Sequence, residues 1–143
     1  TLTVAAVLIS RPIVFALNDK MWTKYRIAQA FKIVDRDGAP ARGNPTRAAW
    51  GPLDPAADPN DTSGMYHDYS SDALRARGAR FLVCHNAIGG VSADFVKSSG
   101  VAHADIVADW TANVLPGFTV VPAGGMAVQL AQERGWKLYP ITD

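Results

Sequence analysis

Four short runs of near-continuous apolar residues set the outline of this chain: TLTVAAVLI at 1–9, ARFLVC at 79–84, FTVV at 118–121 and WKLY at 136–139. A strand that alternates polar and apolar residues buries one face. A strand apolar on both faces needs cover on both, which is the habit of a parallel sheet between layers of helices. Segments with helical spacing fill the gaps. Asn18 or Asp19 is placed to cap a helix from about Lys20 to Lys32, with Met21, Tyr25, Ile27, Ala28 and Phe31 as its apolar face. Lys24 and Lys32 fall near the same stripe, their stems along apolar surface and their charges in water. A second helix is expected near Tyr69–Arg77, stopped by Gly78. HNAIGG at 85–90 reads as a glycine-bearing turn leading to a short segment around Ser92–Lys97.

Further on, HADIVADWTANV at 103–114 sets Ile106, Trp110 and Val114 four residues apart, the spacing of one helical stripe. Pro122 suits the first position of a last helix. That helix is expected to bury Met126, Ala127, Leu130 and Ala131 and to end at Gly135. Alternating strands and helices predict an α/β fold, a three-layer sandwich around a mostly parallel sheet, in one domain spanning 1–143.

At 143 residues, with 48% apolar and 19% charged side chains, the composition is that of a globular domain with a real core. The net charge of +1 is spread along the chain without a basic stripe, which argues against a nucleic-acid partner. The apolar run from Leu2 to Ile9 is far shorter than a membrane span and lacks the flanks of a secretory signal. Between residues 35 and 64 the character changes: five of the nine prolines fall between Pro40 and Pro59, among Asp, Gly and Asn. This reads as an insertion loop within one domain. Its fragments DRDG at 35–38 and DPAADPND at 54–61 lack calcium-loop spacing and read as solvated turns.

A single cysteine excludes an internal disulfide. Cys84 ends a predicted strand, and ligands in open parallel sheets gather beyond such carboxyl ends. A thiol beside a helix N-terminus or a cation becomes reactive, whereas one sealed in apolar surroundings behaves as a small hydrophobe. His85 follows and could polarise a bound group, although neighbours on an extended segment point opposite ways. Asn86 is a turn former first and a ligand contact second. Gly124 and Gly125 expose backbone N–H groups at a helix start, a place for a sulfur oxyanion or phosphate, or else permit close helix–strand packing. His67 and His103 show no metal-ligand spacing with Cys84, and no metal or cofactor is expected. The four tryptophans read as core or subunit-interface anchors.

Several ordered features then resemble the DsrE/DsrF-like sulfur-relay family: Gly78 before a strand, Cys84 at its end, the turn Leu115–Gly117, the strand and helix start at 120–124, and Gln132, Gly135 and Trp136 near the close. The earlier stretch ALNDKMWTKYRIAQAFKIVDRDGAPARGNP resembles a branch of that family whose members often carry an export signal. Members normally have another strand and helix before the one that opens this sequence, and an apolar residue where Gly125 stands.

The resemblance implies a sulfur carrier or sulfurtransferase-like protein that takes sulfane sulfur on Cys84 as a persulfide. It further implies a sulfur donor or acceptor protein as partner, a homo-oligomer (trimer or hexamer), and a periplasmic or exported location, with a cytoplasmic one as the alternative. The competing reading is a non-catalytic assembly or small-anion-binding module, its proline-rich loop gripping neighbouring subunits.

Overall fold

The computed structural model describes residues 3–35, 37–47 and 70–138. Among them, strands β1 (Ala5–Leu8), β2 (Arg80–Cys84) and β3 (Thr119–Val121) form a parallel sheet in the order β1-β2-β3. Leu8 pairs with Val83, and Val83 with Val120, so these three share one face. On that face lies the main core, in which Val83, Ile88 and Ile106 are fully buried. The chain is thus a mixed α/β protein with a small parallel sheet, as the apolar runs require.

The first crossover begins with a 3-10 helix, Arg11–Ala16, whose Ile13, Val14 and Ala16 are buried. Leu115 N–H donates to Ala16 C=O at 2.7 Å, and Leu17 bridges Val114, tying this helix to the entry of β3. Asn18 caps the next helix, its side-chain oxygen accepting from Met21 N–H at 3.1 Å. The expected helix from Lys20 to Lys32 is in fact two, α1 (Asp19–Lys24) and α2 (Ile27–Phe31), with Arg26 left-handed at φ 52° between them. Packing explains the break. Trp22 and Ile27 are both buried, yet in an unbroken helix, at about 100° per residue, they would lie roughly 140° apart. Interrupting the helix re-phases α2 and lets both reach the core.

The start of the proline-rich stretch is anchored. Val34 and Pro40 bridge across a turn closed by Asp35 N–H to Ala39 C=O at 2.7 Å. Asn44 is 5% exposed and donates from Nδ2 to Phe15 C=O at 2.7 Å and Leu17 C=O at 2.8 Å. Its Oδ1 accepts from Thr46 N–H and Oγ1. Residues 48–64 of the stretch, DPAADPND at 54–61 within it, lie outside the described residues.

Helix α3 (Ser71–Ala76) is capped by Ser70, and Gly78 at φ 96° turns the chain into β2. The expected turn at HNAIGG is instead the body of helix α4 (His85–Ser92), which starts without a linker at the end of β2. Burial of Ile88 and Val91, one helical turn apart, outweighs the helix-breaking bias of Gly89 and Gly90. Residues Ala93–Phe95 form a 3-10 turn into α5 (Val96–Ser99), and α6 (His103–Ala112) buries Ile106 and Trp110 as its spacing predicts.

After β3, Pro122 precedes the N-cap Ala123, so it stands before the first turn of α7 (Gly124–Glu133) rather than in it. This helix lies on the second side of the sheet, against β1 and β2. Its inner stripe is Gly124, Ala127, Val128 and Ala131. Met126 at 63% and Leu130 at 43% exposure are on the outside, contrary to their expected burial, because the small stripe gives the closest approach to the sheet. Residues 136–138 form no strand, and Tyr139 lies outside the described residues. No helix among the described residues is long and apolar enough to cross a membrane.

Candidate functional site

Because side chains alternate along a strand, Val83 enters the core while Cys84 turns to the face covered by α7. Cys84 is the last residue of the central strand and, at the same time, the N-cap of α4. Its Sγ accepts the Ala87 N–H at 3.4 Å, in the manner of a capping serine. The residue is 6% exposed.

The N-terminus of α7 closes over the same point. A Cβ on Gly124 would lie 2.3 Å from Ile9 Cγ2, 3.1 Å from Cys84 Cβ and 3.3 Å from Val7 Cγ1. Gly124 is therefore a packing glycine, and it brings the positive ends of two helices to one cysteine. Gly125 stands in open space, with nothing within 4 Å of a Cβ built there. Cys84 and Gly124 are thus brought together. His85 and Asn86 are exposed on the first turn of α4, and neither side chain hydrogen-bonds to Cys84.

His103, on α6, lies against Gly89 C=O with its Nε2 at 2.7 Å, which ties α6 to α4. His67 lies outside the described residues. Among the described residues no cluster of three His, Cys, Asp or Glu side chains is arranged to hold a metal ion. Of the tryptophans, Trp22 and Trp110 are core, Trp136 is 39% exposed, and Trp50 lies outside the described residues.

Sequence spacing gave no sign of the polar clasp that holds α1 to α6. Asp109 Oδ2 accepts from Lys24 Nζ at 2.6 Å and from Tyr25 Oη at 2.7 Å, while its Oδ1 accepts from Asn113 Nδ2 at 3.2 Å. Asn113 in turn accepts from Asn18 Nδ2 at 3.0 Å. Burial alone would raise the Asp109 carboxyl, but the hydrogen bonds from Lys24 and Tyr25 outweigh it and hold the group below its ordinary range. Burial, then the Asp109 carboxylate, push the Tyr25 phenol up, and the hydrogen bond to Asp109 raises the Lys24 ammonium. The bonds of this clasp that join α1 to α6 span 84 to 95 positions, beyond any local sequence signal.

Taken together, the fold and site define an α/β protein with one nearly buried cysteine at the carboxyl end of a central parallel strand. Comparison with family models, curated proteins and solved structures finds no match.

Proposed function

We propose that this chain is a sulfur carrier of the DsrE/DsrF-like kind, working through Cys84 on a three-layer α/β sandwich. The observation that carries the reading is the Cys84 sulfur at the first turn of α4, accepting the Ala87 N–H at 3.4 Å with the start of α7 against it. Two helix N-termini favour a bound anion, and a perthiolate is an anion. In the reaction, the Cys84 thiolate attacks the outer sulfur of a donor persulfide. The donor S–S bond breaks, the donor thiolate leaves with that electron pair, and Cys84 carries the sulfane sulfur. His85 and Asn86, exposed at the rim, meet the donor or acceptor protein, and the backbone of Gly124 and Gly125 faces the anion. A homo-oligomer and an exported location follow from the same family reading.

With 6% of the residue exposed, small inorganic polysulfide is the donor of choice for a test. Intact mass after exposure should rise by about 32 Da, one sulfur atom, and the gain should vanish in Cys84→Ser and on treatment with a reductant. A thiol that iodoacetamide alkylates in the native protein, yet that takes no sulfur, refutes the proposal.

The second reading, a non-catalytic assembly module, is favoured by the exposure of Met126, Leu130, Trp136 and Leu138 on α7 and the residues after it. It requires a defined oligomer in solution, dissociated by Leu130→Lys whatever happens at Cys84. A monomer by light scattering excludes it.

A further inference from the structure

On the other side of the sheet from Cys84, a groove of about 650 Å³ opens between the 3-10 helix Arg11–Ala16, the end of α2 and the Ala93–Phe95 turn. That is a usual size for a small-molecule site. Its apolar lining includes three aromatic rings, Phe15, Phe31 and Phe95, with Phe31 and Phe95 edge to face at 5.5 Å. Its charged lining is Arg11, Lys32 and Asp94, which leaves one net positive charge. None of these three charges takes part in an ion pair among the described residues. The Arg11 guanidinium lies 5.7 Å over the Phe31 ring, and Lys32 lines the same groove.

The backbone holds one of these cations in an uncommon conformation. Lys32 sits at φ 55°, and Ser10, immediately before Arg11, also at φ 55°. Glycine or asparagine would take such positions at less cost. At Lys32 that conformation closes α2, the Lys32 N–H donating to Ala28 and Gln29 C=O, and so fixes where the residue leaves the helix.

We propose that this groove binds a small organic monocarboxylate with an apolar body. The carboxylate pairs with Arg11 and Lys32, and the hydrocarbon or aryl part lies on the partly exposed Phe15 and Phe31. Arginine's planar fork meets a carboxylate with two parallel hydrogen bonds. Asp94 sets the limit on charge: it opposes a second anionic group, so dianions are excluded. The site is independent of Cys84, and its test neither uses nor needs the cysteine.

The probe is 3-phenylpropionate, compared with 3-phenylpropylamine and 3-phenylpropanamide, followed by amide chemical shifts of the full chain. A ligand of this size binds in roughly the millimolar range. The acid should give saturable shifts centred on Arg11, Phe31, Lys32 and Asp94, with the amine and amide at least about tenfold weaker. Lys32→Asn removes the cation with a residue that tolerates positive φ, so the fold is kept, and it should weaken the acid roughly tenfold. Asp94→Asn should tighten it. Absence of saturable shifts, equal binding of the amine, or an unchanged affinity in Lys32→Asn overturns the proposal.

Discussion

Replacing Gly124 by alanine is the sharpest test of how α7 sits on the sheet. The new Cβ would come within 2.3 Å of Ile9 Cγ2, 3.1 Å of Cys84 Cβ and 3.3 Å of Val7 Cγ1. The first contact is relieved cheaply, because Ile9 is 48% exposed and its side chain can rotate. The second is not, because a Cβ moves only with its backbone, here the end of the central strand. Overpacking of this kind costs about 1–3 kcal/mol, against a helix-propensity gain of at most about 1 kcal/mol for removing a glycine. A net loss of about 1–2 kcal/mol follows. Gly125→Ala is the internal control. Nothing lies within 4 Å of its Cβ, so only the propensity gain operates, at most about 1 kcal/mol. Urea denaturation followed by tryptophan fluorescence should place Gly124→Ala below the parent and Gly125→Ala at or above it, with unchanged m-values. The rate at which a small thiol reagent labels native Cys84 should rise in Gly124→Ala as the helix start is lifted from the sulfur. Equal midpoints for the two variants would refute the close approach of α7 to β1 and β2.

Two further perturbations probe the frame around the site. Asp109→Asn should destabilise by about 1–2 kcal/mol through the hydrogen bonds to Tyr25 and Asn113. In the parent, the depressed Asp109 carboxyl contributes stability that is present above the ordinary aspartate pKa and is lost as pH falls through its folded value. The raised Tyr25 and Lys24 groups contribute stability that is present below their ordinary values and is lost as pH rises through the folded ones. Thermal melts across pH should therefore show both flanks flattened in the variant, and an unchanged acid flank would count against the clasp. Asn44→Ala leaves the carbonyls of Phe15 and Leu17 without their partner and should cost about 2–4 kcal/mol in denaturant titrations. A loss below 1 kcal/mol would mean that the anchor of the proline-rich stretch contributes little.

What the amino-acid sequence determined here is what depends on neighbours along the chain. Apolar runs at 79–84 and 118–121 specify strands of a parallel sheet, so β2 and β3 and their pairing were legible, although only Val83 and Cys84 of the two strands are buried. Asn18 as a cap, Ile106 and Trp110 as a buried stripe, and Cys84 as the end of a strand follow from local spacing in the same way. Tertiary structure decided whatever depends on residues far apart. The break at Arg26 arises because Trp22 and Ile27 must both enter one core, a demand that the core, not the helix, imposes. HNAIGG is helical because Ile88 and Val91 are buried, and no propensity of its glycines foretells that. Gly124 lies against Cys84 because a strand and a helix 40 positions apart meet there, which gives the cysteine a second helix end and leaves it 6% exposed. Met126 and Leu130 are outside for the same reason: the close approach belongs to the small residues beside them. Local spacing can place a thiol at the edge of a sheet, but only the packing of both layers decides how far it is open to a reactant.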